Sequence, residues 1–71
     1  MTKQAWVELV NATIQNERNA LARSVSAVAA LRDGKVVYFD NDAGYTRRVT
    51  FAQIMSHLHG ADIRALKAAR A

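Results

Sequence analysis

The chain has 71 residues, 51% of them apolar, with no cysteine and no proline and a formal net charge of +4. A chain of this length makes one domain, residues 1–71, and such a domain buries only about 60% of the surface that its unfolded form exposes, so its stability margin is thin. The missing cysteines exclude disulfide staples and thiolate metal sites, which fits a cytosolic setting best.

The N-terminal segment, Met1-Thr2-Lys3-Gln4, leads into an amphipathic pattern and not an unbroken apolar run, so neither a signal peptide nor a membrane span is expected there. Thr2 is a candidate N-cap, and Trp6, Leu9, Val10, Ile14, Leu21, Val25, Val28 and Leu31 then recur at spacings of three and four. That spacing predicts one long amphipathic first helix, with Leu21, Val25, Val28 and Leu31 in the core. Its weak point is the polar run Gln15 to Asn19, in which Glu17 falls on the apolar stripe. The helix either continues through this turn or breaks near Asn16 to Asn19 into two, and the gap-free spacing favours continuity. Roughly 28 helical residues would measure about 42 Å, longer than a two-stranded ribbon can cover. The overhang calls for a second copy of the chain, with Trp6, Val10 and Ile14 as the oligomer contact, or for a helix bent back on itself. Asp33 and Gly34 are expected to end the helix, with Arg32 complementing its dipole.

Lys35 to Phe51 alone carries strand periodicity. Val36, Val37, Tyr38 and Phe39 are β-branched or aromatic, Asp40 to Gly44 supply turn chemistry, and Tyr45 to Phe51 resume an extended run. The segment reads as a β-hairpin with a loop through Asn41 to Gly44, in which Val49 and Phe51 face the core and Arg48 faces solvent. Thr50 and Gln53 form a capping box for a second helix, whose stripe is Phe51, Ile54, Met55 and Leu58. Gly60 either lies inside that helix or ends it near His59, with Asp62 opening a last turn. Beyond it, Arg64, Lys67 and Arg70 recur every three residues. The fold class is therefore α+β, with helix, two-stranded antiparallel hairpin and helix in that order (αββα).

The polar clusters offer little reactive chemistry. His57 and His59, two apart on a helix, point roughly 200 degrees apart and cannot share a metal there. Asp40 and Asp42 read as turn formers, because the loop is too short for a calcium site and lacks its terminal glutamate. Ser24 and Ser26 have no base nearby, and no glycine motif cradles a phosphate. The sequence thus predicts no enzyme, no metal and no cofactor. Residues 47 to 71 carry a net of +4, equal to the charge of the whole chain. Arg47, Arg48, Arg64, Lys67 and Arg70 are the candidates for contact with a nucleic acid or an acidic partner, or simply solubilise the surface. Trp6, Tyr38 and Tyr45 could stack on bases, although packing is the commoner use of aromatics.

The opening Met1-Thr2-Lys3-Gln4, the Gly34-Lys35 step into Val36, and the run Arg47-Arg48-Val49-Thr50-Phe51 resemble the gpW-like family of tailed-phage head-tail joining proteins over about residues 20 to 66. Two features depart from that family: a first helix read here as roughly four turns longer, and Gly60 where the family continues its helix. The resemblance implies a non-enzymatic structural protein that assembles as a ring between portal and tail and completes the head. It would be found in the bacterial cytoplasm and then in the virion, with portal and tail proteins as partners, possible non-specific DNA contact and no membrane. The other reading is a small nucleic-acid-binding or regulatory protein, in which the same five basic residues neutralise phosphates.

Overall fold

The computed structural model describes residues 1–21, 26–41 and 45–70, without the side chains of residues 20 and 21. The elements are α1 (Lys3–Leu21), β1 (Ala27–Arg32), β2 (Lys35–Asp40), β3 (Arg47–Val49), α2 (Phe51–Met55) and α3 (Gly60–Arg70). The expected α+β order of helix, hairpin and helix is present, with β2 and β3 as the hairpin. One strand is added in front of it: β1 pairs with β2, and the antiparallel sheet runs β1-β2-β3.

That extra strand corrects the first helix, which is continuous through Asn16 to Asn19 but stops at Leu21. Asp33 and Gly34 do not cap a helix. Both have positive φ, 51° and 75°, and they join the paired residues Arg32 and Lys35 as a two-residue turn of the primed kind that matches strand twist. Asp-Gly between alternating residues is a hairpin signal, and here it outweighs the spacing of Val28 and Leu31. Strand geometry then sends alternate side chains to opposite faces. Ala27 and Ala29 go under α1, Val28 goes to the opposite face at 38% exposure, and Leu31, on the Ala29 side but next to the turn, is 40% exposed, so neither Val28 nor Leu31 is a core residue. The Leu21 side chain and Val25 lie outside the described residues.

All three helices pack on one face of the sheet. The core there contains Trp6, Val10 and Ile14 from α1, Ala27 and Ala29 from β1, Val49 from β3, Phe51 and Ile54 from α2, then Leu58 and Leu66, with Met55 partly buried against it. Trp6, Val10 and Ile14 are therefore no oligomer contact: at 8%, 0% and 1% exposure they are already covered within one chain. The overhang that suggested otherwise disappears with the shorter helix.

Two polar side chains of α1 fix its position. The Asn11 amide spans the backbone of Ala29, donating to its carbonyl at 2.9 Å and accepting its N–H at 2.8 Å. Arg18 donates to the Ala27 carbonyl at 3.3 Å. Together they occupy three outward backbone groups of β1, an edge that would otherwise be more open to another strand. Further along, Glu17 is 1% exposed and its Oε1 accepts the His59 N–H at 2.6 Å, just before α3 begins. The acidic residue on the apolar stripe thus joins α1 to the start of α3.

After β3 the chain follows the expected capping box. Thr50 accepts the Gln53 N–H at 3.2 Å and Gln53 Oε1 accepts the Thr50 N–H at 2.8 Å. Two boundaries differ from expectation. The third strand opens at Arg47, leaving Tyr45 outside it and 62% exposed. The second helix ends at Met55, and Gly60 opens α3 instead of closing a helix at His59.

Candidate binding surfaces

The sheet register builds one surface directly. Arg32 pairs with Lys35, Ala30 with Val37, and Val28 with Phe39, which is flanked in turn by Arg48. These seven residues share the face turned away from the helices, and among the described residues no helix lies on it. Arg32 begins at the turn end of the face and its guanidinium lies 6.0 Å from the centre of the Phe39 ring. Its stem therefore crosses the middle of the sheet, which accounts for Val37 being buried although it belongs to the outer side. An aliphatic stem lying on apolar surface with a charged head in water is the ordinary compromise for arginine. The result is a small apolar floor of Val28, Ala30, Val37 and Phe39 under three cations, with no carboxylate at any of the seven positions.

The five basic residues singled out from sequence do not form one surface. Arg48 belongs to the outer face. Arg47, its neighbour in β3, points to the helix side and lies 3.6 Å from Asp40, which is buried. Arg64 and Lys67 are exposed on α3. Arg70 turns back over the core, its guanidinium 4.6 Å from the centre of the Phe51 ring. Arg32 and Lys35, which complete the outer face, were missed because Arg32 was read as the end of a helix, which left Lys35, at the start of the strand, without its partner. A hairpin reading of Arg32-Asp33-Gly34-Lys35 would have found both.

The remaining polar clusters are structural in their contacts. His57 and His59 are exposed, and the His59 Nδ1 accepts the Ala61 N–H at 3.4 Å. Among the described residues no three His, Cys, Asp or Glu stand together as a metal would need, and no helix is long and apolar enough to cross a membrane. Asp62 is electrostatically perturbed. Its carboxyl is pushed above the usual range by a hydrogen bond to Glu17, then by burial and by the Glu17 charge, with His59 pulling the other way. Two carboxyls can share a hydrogen bond only if one holds a proton. In comparison with known proteins, no family model, curated protein or solved structure matches the chain.

Proposed function

We propose that this chain is a small non-enzymatic module that binds the phosphate backbone of nucleic acid through the outer face of its sheet. The observation that carries this reading is that Arg32, Lys35 and Arg48 share a sheet face that no described helix covers, with Arg32 and Arg48 beside Phe39 and Lys35 at the turn end. Cations set beside a partly exposed aromatic suit single strands, whose bases stack while their phosphates meet the charges. A second copy of the same face is a poor occupant, since it would bring like charges together.

The test is fluorescence anisotropy of a labelled oligonucleotide across a salt series. Three neutralised phosphates give a slope of log affinity against log salt of about −2 to −3. Replacing Arg32, Lys35 and Arg48 together by glutamine should flatten that slope while the protein still unfolds cooperatively, with at most a small drop in melting temperature from the shortened Arg32 stem. Equal affinity of the folded triple variant would overturn the reading.

The head-tail connector is the second reading, and one observation favours it. Arg47-Arg48-Val49-Thr50-Phe51, the run that carries the resemblance, forms a strand end, a helix cap and a helix start in direct succession. In that role the exposed Arg48, Arg64 and Lys67 would meet portal, tail protein or DNA, and the ring contact would use a surface other than Trp6, Val10 and Ile14. In an assay joining filled heads to tails, the protein would be active while its binding to free DNA stayed weak. A variant with Arg64, Lys67 and Arg70 changed to glutamine, folded but still fully able to join them, would remove those side chains from this reading.

A further inference from the structure

On the helix side, at the end of the sheet near the start of α1, the chain forms an open cavity of about 360 Å³ that is separate from the outer face. This is within the size range of small-ligand pockets, about 300 to 1,000 Å³. Its wall mixes polar and apolar groups: Trp6 and Tyr38 belong to an aromatic group with Phe51, the ring centres lying 5.5 Å and 5.4 Å from that of Phe51, and Val36 continues it. Its rim is cationic, with Lys3 and Arg70, and no carboxylate side chain lines it.

The polar groups are held in place before any ligand arrives. Trp6 Nε1 donates to the Tyr38 hydroxyl oxygen at 2.9 Å, which leaves the Tyr38 O–H proton to be donated elsewhere. Lys3 is tied to the Gly34 carbonyl across the first hairpin turn, and an ammonium has two further protons to give. Arg70 lies over Phe51, and a stacked guanidinium keeps its in-plane donors for an oxyanion. The Thr2 hydroxyl, at the start of α1, lies on the same rim.

We propose that this cavity binds a nucleoside monophosphate, its base against Tyr38 and the small accessible edge of Trp6 and its phosphate between Lys3 and Arg70. The phosphate could belong to a free nucleotide or to the 5′ terminus of a strand. The assignment does not rest on the outer face, and the outer-face triple variant should bind in this cavity normally.

Trp6 is the chain's one tryptophan, so its fluorescence reports the cavity directly. Titration of the full chain with AMP should give a saturable change with a dissociation constant below about 1 mM. Adenosine and ribose 5-phosphate, each lacking one half of the ligand, should bind at least about tenfold more weakly. Arg70→Gln should weaken AMP about tenfold at unchanged melting temperature, and Tyr38→Phe, which keeps the ring, should weaken it severalfold. A 5′-phosphorylated oligonucleotide that competes with AMP, when its 5′-hydroxyl form does not, identifies the strand terminus as a source; absence of competition by both with AMP bound identifies the free nucleotide. No saturable response to AMP, undiminished AMP binding by folded Arg70→Gln, or an equal response to benzoate would each overturn the proposal.

Discussion

Glu17 is the residue on which the helical layer depends most. A buried carboxylate is costly unless its oxygens are satisfied, and here one oxygen takes the His59 N–H at 2.6 Å while the carboxyl also contacts Asp62. Glu17→Ala should destabilise the protein by about 2 to 4 kcal/mol, combining a cavity with an unsatisfied N–H. Glu17→Gln, which keeps the volume and can still accept from His59, should lose less than about 1 kcal/mol. Urea unfolding of both variants checks this, and equal losses would mean that the packing and not the hydrogen bond matters. The neighbouring carboxyl gives a pH prediction. Because the folded state raises the pKa of Asp62, the contribution of that group is fully present below its unfolded pKa and is lost as pH rises through the higher folded value. Asp62→Asn keeps a neutral donor beside Glu17 at every pH, so its melting temperature relative to the unsubstituted chain should be higher at pH 7 than at pH 4. A pH-independent difference would contradict the contact with Glu17.

At the scale of elements, the turn and cap positions carry most of the specification. Gly34 has a φ of 75° and a side chain there would meet no atom within 4 Å, so Gly34→Ala tests backbone conformation alone. The loss should be about 1 to 2 kcal/mol, the usual cost of placing an L side chain in the left-handed region, and Gly34→Asn should lose less because asparagine tolerates that region. Identical midpoints in thermal melting for all three sequences would refute the turn assignment. Thr50→Ala should cost about 1 kcal/mol through the lost cap of α2. This junction was legible in the sequence because a capping box is local: Thr50 and Gln53 lie within one turn, and no distant contact is needed to form it. Strand β1 was not legible, since its apolar residues at three and four spacing fit a helix as well as they fit a sheet. What decides between the two is Asp33-Gly34 pairing the segment with Lys35 to Asp40 and the Asn11 amide holding Ala29, and both contacts cross elements.

For the whole molecule, 71 residues leave little reserve. The aromatic group of Trp6, Tyr38 and Phe51 joins α1, the sheet and α2 in one place. Phe51→Ala should cost about 3 to 5 kcal/mol, of the order of the entire stability of a small domain, and should abolish the cooperative transition seen by circular dichroism on heating. A cooperative transition at an unchanged midpoint would show that the aromatic group is not central. The sequence by itself determined the α+β class, the β2–β3 hairpin, the capped start of α2 and the buried positions Val49, Phe51, Ile54 and Leu58, because each follows from local periodicity or local hydrogen bonding. Only the tertiary structure decided where α1 ends, that Trp6, Val10 and Ile14 are buried within one chain, and that Arg32 and Lys35 share a sheet face with Arg48. The physical reason is the same in each case: strand pairing and helix docking bring together residues far apart in sequence, and a one-residue change of register would exchange the two faces of the sheet.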